Sequence, residues 1–134
     1  MSTVANLSDA AANAEATALG LLCNSGTINL YSGAQPANAN TALSGNTLLA
    51  TLTFASSAFN APNAGVITAN LIASAVAVAT GTATFARLLK SDGTTVIMDV
   101  TVGTTNAGLT LNTTAIVQGA TVSISAFTHT VQET

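Results

Sequence analysis

Charge is what this chain has least of. Of its 134 residues only two are basic, Arg87 and Lys90, and five are acidic, for a net charge of −3. Charged residues make up 5% of the chain, against about a quarter in an ordinary soluble domain. Neutralising several phosphates takes several Lys or Arg, so a nucleic-acid role is excluded, and anionic membrane binding fails for the same reason. There is no Trp and a single Tyr, Tyr31. A carbohydrate-binding module wants exposed aromatic platforms, and this chain cannot supply several. One cysteine, Cys23, rules out an internal disulfide.

Chemistry is as sparse as charge. One His (His129) and one Cys (Cys23) sit at opposite ends of the chain. Cys23 ends an apolar run and reads as a small packed residue. His129 lies among Thr128, Thr130 and Val131 and reads as a surface or satisfied histidine. A zinc site needs three or four ligands, which these residues do not assemble. No P-loop, dinucleotide fingerprint, nucleophile elbow or EF-hand spacing occurs. Neither an enzyme nor a cofactor is expected.

What is present is Thr, Asn, Ser and Gln for the polar surface, with Ala and Val filling much of the rest. Such surfaces meet neighbours at little desolvation cost, because few ions must be stripped of water. Low charge therefore favours a subunit of an assembly, and a homo-oligomer is expected. The length suits one domain, residues 1–134, burying roughly two thirds of its unfolded surface. The start, Met1 to Ala16, has no basic or long apolar region, so no signal peptide is expected. Val66 to Ala86 carries no charge, yet its Thr, Ser, Asn and Gly content argues against a membrane span.

One helix is expected, from Asn6 to Cys23. Ser8 is the N-cap candidate, Asp9 complements the dipole in the first turn, and six alanines favour helix. Asn24-Ser25-Gly26 ends it, with Gly26 or Asn24 in the left-handed position. Strand-like runs follow at Thr27–Tyr31, Thr47–Phe54, Val66–Asn70, Ile72–Thr80, Leu109–Leu111, Ile116–Val117 and Thr121–Val131. In Thr47–Phe54, Leu48, Leu52 and Phe54 share a face opposite Leu49. In the last run Val122, Ile124 and Ala126 oppose Ser123, Ser125 and Phe127. Ser32–Asn46 and Ala55–Gly65 read as long loops, and Gly103–Gly108 as a turn. The fold class expected is mainly β, an antiparallel β-sandwich or jelly roll over residues 27–131, with one N-terminal α-helix over 6–23.

The chain is organised around a hairpin, Gly81–Val102, turning at Asp92-Gly93. Asp-Gly is a signal for a two-residue type I′ turn. That turn sets Leu89 against Val96, Arg87 against Met98 and Phe85 against Val100, and leaves Asp99 across from Ala86. Phe85, Leu89, Val96, Met98 and Val100 then share an apolar face with Arg87 among them. An unpaired charge there is costly. Either its stem carries the guanidinium to solvent, or the group reaches a carboxylate or carbonyl across a subunit contact.

Three phrases carry a resemblance: Thr27–Pro36 (TINLYSGAQP), Leu48–Phe54 (LLATLTF) and Thr82–Thr94 (TATFARLLKSDGT). With the Ala-rich helix and the closing Thr121–Thr128 strand, they resemble a family of small proteins encoded among the virion structural genes of tailed bacteriophages. The segment before Arg87 departs from it, with Phe85-Ala86 where a heavier aromatic pair is expected. The resemblance implies a virion structural protein made in the bacterial cytoplasm. The specific expectation is a capsid cement or decoration protein on the outer surface of the head, bridging major capsid subunits. A neck, collar or tail accessory protein is the alternative, and a carbohydrate-binding module with the same sandwich fold, short of aromatic platforms as it is, is the alternative from another class. The interface residues expected are Asp9 and Glu15 on the helix, Gln35 and Pro36 in the first loop, Asn60 and Pro62 in the second, and Arg87, Lys90 and Asp99 on the hairpin.

Overall fold

The structure, a computed structural model, describes residues 6–105 and 107–131. Asn106 of the expected Gly103–Gly108 turn, and residues 1–5, lie outside them. The chain is mainly β, with one helix and a curled sheet that mixes parallel and antiparallel pairs.

The helix α1 spans Asp9–Leu22 and starts where its cap is, three residues later than expected. Ser8 Oγ accepts the Ala11 N–H at 3.2 Å, one of the four donors a helix start leaves open. Ala12, Ala16 and Gly20 are its buried residues, spaced four apart. Their small size lets the backbone lie close to the sheet: a Cβ on Gly20 would sit 3.5 Å from Phe59. At the C-terminal end the left-handed residue is Ser25 (φ 57°), not Asn24 or Gly26. Gly26 is required for space instead, since a Cβ there would collide with the Leu89 carbonyl.

Eleven strands follow among the described residues. They are β1 (Thr27–Tyr31), β2 (Leu48–Thr53), β3 (Val66–Thr68), β4 (Ala75–Val76), β5 (Gly81–Thr82), β6 (Phe85–Leu89), β7 (Val96–Gly103), β8 (Leu109–Leu111), β9 (Ala115–Ile116), β10 (Thr121–Val122) and β11 (Ile124–Thr130). Seven form one sheet in the order β2-β1-β6-β7-β8-β11-β3. The β7–β8 pair is parallel, joining Val102 to Leu109 and Gly103 to Thr110, so the expectation of a purely antiparallel sheet is corrected. A five-residue link brings the chain back beside the strand it has just left.

The remaining strands make two short antiparallel ladders, β4 with β10 and β5 with β9. Both ladders share one register, and Ala77 N–H to Ala120 O (2.9 Å) and Ala83 N–H to Thr114 O (2.9 Å) continue it. They are thus the ends of one interrupted ribbon, residues 75–83 against 114–122. Val78 N–H to Leu49 O (2.8 Å) ties the ribbon to β2.

Three β-bulges decide which side chains reach the core. Tyr31 pairs with Leu48 while Leu30 pairs with Ala50, so Leu49 is the extra residue. The slip turns Leu49 inward together with Leu52 and Phe54, instead of opposite them. On β11, Ile124 pairs with Leu111 and Ala126 with Thr110, making Ser125 the extra residue. Phe127, expected on the face away from Val122, is buried with it and packs against Phe54 and Phe59. The third bulge lies in the hairpin. Leu89 pairs with Val96 as expected, but Leu88 pairs with Met98, and Ile97 is extra. Arg87 therefore faces Asp99 rather than Met98, and Phe85 faces Thr101 rather than Val100.

The hairpin tip also differs from a type I′ turn. Gly93 has φ 75°, but Asp92 is not among the residues with positive φ. Gly93 N–H donates to Lys90 O and Lys90 N–H to Thr95 O, both at 2.9 Å, closing a four-residue loop. Asp92 shapes it from the side chain, accepting from the N–H groups of Thr94 and Thr95 at 2.9 Å each and from the Thr95 hydroxyl.

Candidate functional site

Two surfaces and one buried pair account for where the candidate residues lie. The buried pair comes from β6, which is covered on both faces: Ala86 and Leu88 join the main core, while Phe85, Arg87 and Leu89 point the other way. Phe85 stacks on Tyr31 there, with ring centroids 5.5 Å apart. Arg87 Nε donates to Asp99 Oδ1 at 2.7 Å and Nη2 to Asp99 Oδ2 at 2.9 Å, a bidentate pair. Its side chain is 7% exposed and that of Asp99 4%. The hydrogen bonds to Asp99 raise the Arg87 pKa further, outweighing the opposing effect of burial.

A second Nη2 bond runs to Thr41 O at 2.8 Å. The guanidinium thus reaches both a carboxylate and a carbonyl, each within its own chain. Thr41 belongs to the Ser32–Asn46 loop, which is tied across its own two ends and to Thr84, just before β6. Asn46 Nδ2 donates to Ser32 O and Ala34 O at 2.9 and 3.0 Å, and the Thr84 hydroxyl donates to Gly33 O. Gln35 is exposed at 3.5 Å from the Thr101 hydroxyl, and Pro36 is half-buried in the same loop.

The first surface is a groove between α1 and the Ala55–Gly65 loop. Its walls are Ala16, Thr17, Gly20 and Leu21 on one side and Phe59, Asn60, Ala61 and Pro62 on the other, around a volume of about 150 Å³. The loop is fixed from three directions: Ala58 N–H to Asn24 Oδ1 (2.9 Å), Asn60 N–H to Thr68 O (2.9 Å), and Gly65 N–H to Asn13 Oδ1 (2.8 Å). Two of the expected interface residues, Asn60 and Pro62, meet the helix here. Leu21, on the rim, is 64% exposed. Asp9 and Glu15 are exposed on the same helix, and half-buried Lys90 stands at the base of the hairpin tip.

The second surface was not read from the sequence. The outer face of the ribbon presents Val76, Val78 and Val117, between 57 and 60% exposed, while Ala77, Ala83, Ile116 and Val122 point into the core. Leu71, in the link between β3 and the ribbon, is 89% exposed. In Ala75-Val76-Ala77-Val78-Ala79 the larger side chains face out and an alanine faces in, the reverse of the usual pattern. The signal available was the lack of any charge from Val66 to Ala86.

Cys23 is buried at the end of α1, and burial pushes its thiol up to about 11. His129 pairs with Ile67 of β3, and burial lowers its pKa. Among the described residues no three His, Cys, Asp or Glu side chains gather where a metal would sit, and no helix is long and apolar enough to cross a membrane. Comparison with protein-family models, with curated proteins and with solved structures finds no match.

Proposed function

We propose that this chain is a structural protein of a tailed-phage particle: a cement or decoration subunit on the head that bridges major capsid subunits. The observation that carries this reading is the ribbon's outer face, where Val76, Val78 and Val117 stand exposed among Thr80, Thr82, Ala115 and Thr121 with no charge near them in sequence. Large aliphatic side chains held on a paired backbone lose little entropy on docking, and an uncharged rim costs little to dehydrate. The resemblance of the Thr27–Pro36, Leu48–Phe54 and Thr82–Thr94 segments to virion proteins supplies the setting. In this reading the ribbon is the narrow second layer of a sandwich laid over the curled sheet. Its partners are proteins of the particle, not nucleic acid or membrane. The subunit works without a cofactor and catalyses no reaction.

Each copy contributes a modest interface, and many copies acting together resist the pressure of packaged DNA. The test is incorporation. Val78→Asp and Val117→Asp each place a carboxylate on the exposed face without touching the core, so the subunit still folds. Particles assembled with either variant should lose the protein while wild type is retained. Retention of both variants at wild-type level would remove the ribbon from the interface.

A neck, collar or tail position uses the same surface in a ring, and copy number separates it from a shell.

A further inference from the structure

The Ser32–Asn46 loop covers groups that it does not itself bury. None of its residues is buried, yet Arg87 and Asp99 beneath its tip have side chains only 7% and 4% exposed. We infer that residues 35–43 form a gate over this pair: the tip swings on a tied neck, Arg87 latches it shut, and opening uncovers the pair while the sheet stays folded. One side chain ties the neck. Asn46 Nδ2 donates to Ser32 O at 2.9 Å and to Ala34 O at 3.0 Å, and Asn46 Oδ1 accepts from Ser44 N–H at 3.2 Å. Ser32 N–H to Thr47 O at 3.1 Å extends the β1–β2 ladder up to it. The Thr84 hydroxyl holds Gly33 O from the side of β6. All of these bonds lie outside residues 35–43, so they survive when the tip moves.

The tip is folded on its own. Asn38 Oδ1 accepts from Asn40 N–H at 2.9 Å and from the Thr41 hydroxyl at 3.2 Å, and Thr41 N–H donates to Asn38 O at 3.1 Å. This turn presents Thr41 O to Arg87, whose Nη2 donates to it at 2.8 Å. Among the described residues the only other polar contact from 35–43 to the sheet is Gln35 with the Thr101 hydroxyl at 3.5 Å, near the limit for a hydrogen bond. A segment with no buried side chain gains little from apolar burial, so its opening takes less free energy than unfolding the sheet. The latch is charge-assisted and therefore stronger than a bond between neutral groups. Asp99 aims it by taking the Nε proton and the other Nη2 proton. Arg87 is the one arginine of the chain. Closed, the gate withholds that guanidinium from other molecules; open, it frees the donor that Thr41 O now holds.

Exchange of the Arg87 Nε–H with deuterated water, followed by NMR on the full chain, reads the gate, and a single arginine makes the signal unambiguous. In wild type it should exchange far more slowly than a free guanidinium, at a rate that low urea leaves unchanged, because opening the tip exposes little surface. The β6 amides should instead exchange faster as urea is added. Asn38→Ala, at an exposed position, should speed the Nε–H several-fold with an unchanged Tm. Thermolysin should cut native protein before Leu43, and Arg87→Met combined with Asp99→Leu should speed that cut several-fold. Nε–H exchange that follows the β6 amides through urea would show that only global unfolding uncovers the pair, and overturns the gate. An Nε–H that exchanges freely in wild type, or that Asn38→Ala leaves unchanged, overturns it equally. An unchanged cut in the double variant overturns Arg87 as the latch.

Discussion

Arg87 and Asp99 face each other across β6 and β7 because one residue, Ile97, is left unpaired in β7. Without that slip the guanidinium would lie opposite Met98. With it, two charge-assisted bonds of 2.7 and 2.9 Å form and a third bond reaches Thr41 O. The same slip moves Met98 and Val100 to face Leu88 and Ala86, on the side of the main core. One bulge thus joins the hairpin, the core and the Ser32–Asn46 loop.

Removing one partner of this buried pair strands the other charge. Asp99→Leu or Arg87→Met alone should each destabilise the fold by roughly 3 kcal/mol, whereas the two combined should return to within about 1 kcal/mol of wild type. Urea unfolding of the two singles and the double completes the cycle. Additive losses would show that the two side chains do not act as a pair.

Asp92 gives the hairpin tip an acid limit. Bonds from the Thr95 hydroxyl, the Thr95 N–H and the Thr94 N–H, in that order, hold its carboxyl down at about 2 against an ordinary 3.8. A depressed carboxylate contributes stability that is complete above its unfolded value and is lost as pH falls through the folded one. The Thr94 and Thr95 amide resonances should therefore titrate together with a midpoint near pH 2, and Asp92→Asn should abolish the transition. A midpoint near 4 would mean that the bonds do not form in solution. The group is fully exposed, so the change is local to the turn.

Cys23 should be chemically silent in the native state. It is 1% exposed, and burial raises its thiol to about 11. At pH 8 the thiolate fraction is then on the order of one in a thousand. Labelling by a thiol-reactive dye across a urea series should follow the unfolding curve. Complete labelling of native protein within minutes would contradict its place in the core.

Local signals in the sequence were legible where they act locally. Ser8 caps the helix, Thr27–Tyr31 is a strand to the residue, and Leu89 pairs with Val96 through the turn that Asp92 and Gly93 shape. Side-chain alternation failed beyond each bulge, because one inserted residue exchanges the two faces of a strand. Leu49, Phe127 and Arg87 were each placed on the wrong face or opposite the wrong partner for this reason. Nothing within a strand marks the bulge; the pairing across to its neighbour creates it. The parallel β7–β8 contact was hidden likewise, since a short link ordinarily implies an antiparallel turn. Of the interface candidates, Asn60 and Pro62 came together with α1, while the ribbon valines were missed because Ala and Val alternate with the larger residue outward.

The most direct test of the central claim is the number of copies of this protein in purified particles, measured by quantitative mass spectrometry against the major capsid protein. A cement subunit should be present in hundreds of copies, comparable with the shell protein. Six or twelve copies would contradict the cement reading and move the chain to the neck or tail. Its absence from the particle would contradict the structural role altogether.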